Sequence, residues 1–164
     1  MRHGQDASWE TVIPLMEGNC SVFGGSKNIV TGTAGAANYG ASSILGGISN
    51  TINGLDSSIV GGESNITSGS MSSILGGFRN TASGRDSSIC GGSNNTVSGS
   101  DAVISGGSQN TAGANVSVIL GGQSNITTAG DANNLNGLES VILGDSGITV
   151  SSPFSIYPQP PFPQ

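Results

Sequence analysis

The chain has 164 residues, 28 of them glycine, and a formal net charge of −6 at pH 7, yet only 9% of its residues are charged and 4% are aromatic. This composition excludes a helical bundle, which needs Ala, Leu, Glu and Lys at helical spacing, and a nucleic-acid binder, which needs a basic face. The apolar runs are also far shorter than the stretch of about 20 residues that a membrane-spanning helix needs.

Residues 1–20 lie outside any repeat and are predicted to form an N-terminal anchor segment. Trp9 and Ile13 are its candidate contacts with a partner protein because, together with Val12 and Leu15, they form an apolar stretch outside the repeat. The segment has no apolar core of the kind found in secretory signals, so we expect no export by that route.

From Ser21 to Gly144 the sequence repeats with a period of 15 residues, and the shared unit reads S-S-I-x-G-G-x-x-N-T-x-x-G-x-x. Three residue types keep this spacing over six consecutive copies, which excludes a flexible Gly/Ser linker. The isoleucine row is Ile44, Ile59, Ile74, Ile89, Ile104 and Ile119, continued by Ile142 in the last copy. The asparagine row is Asn50, Asn65, Asn80, Asn95, Asn110 and Asn125.

A unit this short, rich in Ile, Val, Thr and Gly, is typical of two short strands joined by tight turns. Stacked units pair in parallel about 4.8 Å apart. The predicted fold is therefore all-β, a narrow parallel β-solenoid (β-roll) with 15-residue coils and about seven coils over residues 21–144. We expect the isoleucine row inside, the asparagine row as a stack of amides at a corner, and glycine at corners where φ is positive or coils approach closely.

Two insertions interrupt the period at the same corner, at residues 33–41 and 130–139. Insertions in solenoids form loops on one face, and that face is often used for contacts. Two interpretations stay open here, because the insertions can either cap the ends of the stack or contact a ligand.

Residues 145–164 contain five of the six prolines and are predicted to form an extended C-terminal arm that cannot join a ladder. Phe154, Tyr157 and Phe162 are candidate anchor contacts in this arm because they are aromatic. An arm that docks on a partner and an unstructured tail remain the two alternatives.

A coil of 15 residues encloses only about two or three apolar side chains, which is too few to offset the entropy lost on ordering the chain. Each coil carries further apolar residues on the strand face opposite the isoleucine row, and burial between subunits would supply the missing apolar contact. We therefore expect self-association, most simply as a homotrimer. The candidate interface residues are Leu45, Val60, Leu75, Leu120 and Leu143, with Cys90, Val103, Val118 and Val141 on the same face.

The units Asp56–Gly62 and Asp86–Gly92, which read D-S-S-I-x-G-G, resemble the head repeats of YadA-type trimeric autotransporter adhesins. The longer unit S-S-I-x-G-G-x-x-N-T-x-S-G is similar to repeats in bacteriophage tail-fibre and other virion surface proteins. The resemblance covers residues 21–144 and implies a trimeric β-roll. Because the chain shows no signal peptide, coiled-coil stalk or membrane anchor, we expect a virion protein assembled in the host cytoplasm.

The expected function is non-enzymatic, since His3 is the only histidine and no Ser-His-Asp set exists. We expect a short fibre, spike or capsid decoration protein that contacts copies of itself, other virion proteins through its terminal segments, and a host receptor through the inserted loops. No cofactor, metal, nucleic acid or membrane is expected as a ligand. A row of Asp56, Asp86, Asp101 and Asp131 leaves calcium open as the alternative to simple turn capping.

Two other functions remain as alternatives. A cellular surface adhesin, located at the cell surface or outside the cell, would use the same fold. An ice-binding protein would use the flat row of Thr51, Thr81, Thr96 and Thr111, although Ile66 and Ile126 interrupt that row.

Overall fold

The computed structural model describes residues 20–31, 40–128, 140–152 and 154–157. These residues contain short strands, turns and bridges and no helix. The strands, each of two residues, are β1 (Ser21–Val22), β2 (Ile29–Val30), β3 (Ser43–Ile44), β4 (Thr51–Ile52), β5 (Ser58–Ile59), β6 (Ile66–Thr67), β7 (Ser73–Ile74), β8 (Thr81–Ala82), β9 (Ser88–Ile89), β10 (Thr96–Val97), β11 (Val103–Ile104), β12 (Thr111–Ala112), β13 (Val118–Ile119), β14 (Ile126–Thr127), β15 (Val141–Ile142), β16 (Thr149–Val150) and β17 (Ile156–Tyr157).

The strands form two parallel sheets that run along the stack of coils. Among the described residues, sheet 1 contains the nine odd-numbered strands and sheet 2 the eight even-numbered strands, each in chain order. In the uninterrupted coils each residue pairs with the residue 15 positions further on, as Ile59 does with Ile74. The predicted all-β parallel β-solenoid of about seven 15-residue coils is thus confirmed.

A third parallel ladder, which the sequence analysis did not predict, lies between the two sheets. It consists of single bridges between successive coils, such as Glu63 with Phe78 and Phe78 with Ser93. Each coil therefore has three sides rather than two, and three outer faces are available for contacts.

The core is a narrow column with one isoleucine per coil from sheet 1. The whole isoleucine row is 0% exposed. Sheet 2 adds one buried side chain per coil, and its size varies between coils, as in Ile52, Val97 and Ala82. Alternation along a strand explains this placement, because neighbouring residues in a strand point to opposite faces.

The asparagine row is buried at the corner before sheet 2, but its amides bond to the backbone and not to one another. The Asn80 Nδ2 donates to the carbonyls of Gly76 and Gly92 at 3.1 and 3.0 Å, and the backbone N–H of Asn95 donates to Asn80 Oδ1 at 3.0 Å. The same three bonds recur along the row. The predicted corner position is correct, whereas the predicted amide-to-amide stack is replaced by a side-chain staple between coils.

The glycine pairs divide into two different roles. The second glycine of each pair has positive φ, as in Gly77 with φ 94°, and a Cβ there would overlap the carbonyl oxygen of Gly92 in the next coil. The first glycine, Gly76, has open space around a Cβ within 4 Å. The requirement for glycine predicted at this corner therefore falls on the second member of the pair.

Two further corners in each coil adopt positive φ, mostly without glycine. Asp56, Asp86 and Asp101 have φ of 54–56° in the turn before sheet 1, a conformation that Asp tolerates better than most residues. Val116 has φ 57° at the same point of its coil. A β-branched residue is a true outlier in this region, which costs roughly 1–2 kcal/mol per residue.

The solenoid continues beyond the predicted boundary at residue 144. Strand β16 pairs with β14, and β17 pairs with β15. The expectation that the proline-rich segment cannot join a ladder is wrong for Ile156–Tyr157. The reason is that the prolines flank this rung, and it accepts hydrogen bonds from Val141 and Leu143 through the carbonyls of Ser155 and Tyr157 at 2.8 and 2.7 Å.

The two glycines of one pair provide a matched test of this packing. Replacing Gly77 by Ala should lower the free energy of unfolding by about 3 kcal/mol or more, since the new Cβ has no room and φ is positive. The change Gly76→Ala should stay within about 0.5 kcal/mol of the parent. Chemical denaturation followed by circular dichroism measures both variants. Equal losses would contradict the assigned roles.

Candidate interaction surfaces

The outer face of sheet 1 carries an apolar row that is interrupted at Ser105, which we call the Leu row. Its members follow the buried isoleucines by one residue and therefore point outward. Leu45, Leu75 and Leu143 are 50%, 53% and 49% exposed. The full row is Phe23, Leu45, Val60, Leu75, Cys90, Ser105, Leu120 and Leu143. The structure thus brings the five predicted interface residues onto one outer face.

A second row, which we call the Ser/Val row, lies beside the Leu row on the same face. It precedes the buried isoleucines by one residue and is half-buried over most of its length. It reads Ser21, Ser43, Ser58, Ser73, Ser88, Val103, Val118, Val141 and Ile156. Neither row contains a charged residue, although the chain as a whole has a formal charge of −6. An uncharged face on an acidic protein favours contact with another apolar surface.

The outer face of sheet 2 carries the predicted threonine row. Thr96 pairs with Thr81 on one side and with Thr111 on the other. Ile66 and Ile126 occupy the same row and are each 37% exposed. This second face is uncharged and regular in backbone spacing, but isoleucines interrupt its row of threonines.

The third face, formed by the bridge ladder, contains charged side chains. The Arg79 guanidinium lies over the ring of Phe78 at 4.7 Å from its centroid, and Glu63 occupies the neighbouring rung. Contacts of this kind at exposed sites contribute about 0.5–1 kcal/mol. This face is therefore more polar than the outer face of sheet 1.

The described members of the Asp row act as turn residues. The Oδ1 of Asp56 accepts a hydrogen bond from the Ala41 backbone N–H at 2.8 Å, which ties this turn to the coil below. Asp86 lies 3.1 Å from Arg85 Nε. Within the described ranges no group of three or more His, Cys, Asp or Glu side chains forms a potential metal cluster, and Asp131 lies outside those ranges. Asp56 therefore acts as a turn cap, whereas the carboxylate of Asp86 pairs with the adjacent arginine.

The candidate anchor residues have different outcomes. Phe154 is 63% exposed at a turn with φ 55°, as an accessible contact residue would be. Tyr157 is not part of a free arm, because it pairs with Ile142 and packs against the end of the core. The repeat spacing could have predicted this pairing, since Tyr157 follows Ile142 by 15 positions. Trp9, Ile13 and Phe162 lie outside the described residues.

Both insertions leave from the same corner, after sheet 2 and before sheet 1. Of the predicted loop 33–41, only Gly40 and Ala41 are described, and loop 130–139 lies outside the described residues. The first insertion follows β2 in the first coil, and the second follows β14 in the coil before β15. The loops therefore start near opposite ends of the rod.

Both cysteines are free thiols in the structure; Cys20 packs against the core and Cys90 is exposed in the Leu row. None of the described residues forms a helix that is long and apolar enough to cross a membrane. Comparison with protein-family models finds no match, and comparison with characterised proteins finds no similar sequence.

Proposed function

We propose that the chain is a non-enzymatic structural protein of a virus particle surface, working as a homotrimeric rod in a short fibre, a spike or a capsid decoration. Its partners are other copies of the chain and, through the terminal segments, other particle proteins. Assembly takes place in the host cytoplasm. The resemblance of its repeats to those of trimeric adhesin heads and virion fibres supports this function.

The observation that carries the proposal is the uncharged outer face of sheet 1. Six hydrophobic members of the Leu row are exposed by between 46% and 74% over the length of the rod. Monomeric proteins rarely expose large apolar patches, and such patches mark contact surfaces. The narrow core also leaves the single chain with little buried apolar area, a shortage that burial between copies offsets.

The oligomeric part of the proposal is tested by the native mass of the full-length chain in light scattering. We expect three times the chain mass of 16.1 kDa. A stable monomer would contradict the trimer and would favour a free-standing solenoid. Ice binding through the threonine row would then be the next function to test, by thermal hysteresis.

The neighbouring genes distinguish a virion role from a cellular adhesin. A virion role predicts capsid and tail genes beside this one.

Attachment to a host receptor is assigned to the two inserted loops. They are the parts of the repeat region that break the 15-residue period, and they leave the coil at one common corner. Shortening residues 33–41 and 130–139 to the standard turn should abolish binding of the purified protein to host cells while the native mass is unchanged. Unaffected binding would contradict this assignment.

A further inference from the structure

The outer face of sheet 1 changes character along the rod. In the Ser/Val row the first five rungs, up to Ser88, carry serine, whereas the last four carry Val103, Val118, Val141 and Ile156. The Leu row beside it carries Ser105, Leu120 and Leu143 at the first three of these rungs, so the rungs of Val118 and Val141 combine two adjacent apolar side chains. We call the face of the last four rungs the C-terminal patch.

The described turns that border this face are mixed up to Asp101 and apolar after it. The turns before β5, β9 and β11 carry Asp56, Asp86 and Asp101, which are charged and exposed, whereas the turn before β7 carries Met71, which is 44% exposed with φ 57°. The described turns after Asp101 carry Val116, 44% exposed, before β13 and Phe154, 63% exposed, before β17. Both residues have positive φ, at 57° and 55°, where Asp or Asn is better suited. An apolar residue that is both exposed and conformationally unfavourable has no benefit within its own chain, so its benefit lies in a contact outside the chain.

The dimensions of the face fit a second copy of the chain. Nine rungs at about 4.8 Å and a width of about 15 Å give roughly 650 Å², close to the 800 Å² or so that each partner buries in a stable interface. Another copy also presents side-chain rows with the same spacing between rungs, so its rows can interdigitate with these along the whole length. A partner without this repeat would match only a few rungs.

We propose that copies of this chain associate through the outer face of sheet 1 and that the C-terminal patch contributes most of the binding free energy. The serine-lined rungs act as the polar part of the same contact. The inference rests on the proposed self-association and adds where along the rod the copies hold together. The prediction from sequence named the interface residues without distinguishing positions along the rod.

Leu75 and Leu120 form a matched pair for the test, because they occupy the same point of their coils and are 53% and 47% exposed. Each is replaced by Thr, which keeps the β-propensity and removes apolar contact. Dissociation on dilution is followed by sedimentation velocity for the full-length chain. We expect Leu120→Thr to raise the dissociation constant about tenfold more than Leu75→Thr, since Leu120 lies within two apolar rows.

Val116→Asn separates association from folding. Asn suits positive φ better than Val, so the melting temperature of the dissociated chain should rise or stay unchanged while the dissociation constant increases about fivefold or more. Ile126→Thr, on the outer face of sheet 2, is the control and should leave association unchanged. A variant that lowers association only because it unfolds would be recognised by its lower melting temperature.

The outcomes distinguish the two proposals. A wild-type chain that stays monomeric contradicts self-association and with it the C-terminal patch. An oligomeric chain for which Leu75→Thr is as damaging as Leu120→Thr, or for which Val116→Asn has no effect on association, overturns the patch and leaves the proposed function standing.

Discussion

The structure depends on the bonds of the buried asparagine row. The strands have two residues each, so strand pairing alone leaves polar backbone groups unpaired at the corners. Asn80 pairs one N–H of the coil above and the glycine carbonyls of two coils. The carbonyl of Gly92 is presented to it by a backbone with φ 86°, which only glycine adopts there without a clash. The G-G-x-x-N segment therefore acts as one device that joins successive coils.

Because these bonds and one isoleucine per coil specify the interior, the outward residues are free to vary, and the candidate functions lie on the outer faces. Sheet 1 presents an uncharged apolar face, sheet 2 a row of threonine and isoleucine, and the bridge ladder a more polar face with Arg79 and Glu63. The proposed association uses the first of these faces. This arrangement leaves the other two faces available for contacts with other molecules.

The period made the fold predictable, because residues 15 positions apart had to share a register and the invariant isoleucines had to face inward. The third ladder could not be predicted in this way, since Ile48, Glu63, Phe78 and Ser93 share no residue type and pair only through the backbone. The end of the solenoid was predicted too early, because the prolines were taken to exclude a strand although Tyr157 keeps the 15-residue spacing from Ile142. The change from serine to valine along the rungs was visible in the sequence. Only the structure showed that these residues lie beside the Leu row on one exposed face.

The most direct test of the account is the stability of Asn80→Ala compared with that of Asn53→Ala in urea-induced unfolding at one protein concentration. Asn80 is fully buried, whereas Asn53 is exposed and its side chain accepts a hydrogen bond from the Thr31 hydroxyl. In Asn80→Ala the Gly76 carbonyl and the Asn95 N–H lose their hydrogen-bond partner, and the Gly92 carbonyl keeps only the bond from the Phe78 N–H. The free energy of unfolding should therefore fall by about 3 kcal/mol or more, against less than about 1 kcal/mol for Asn53→Ala. Equal, small losses in the two variants would contradict the claim that the asparagine row holds the coils together.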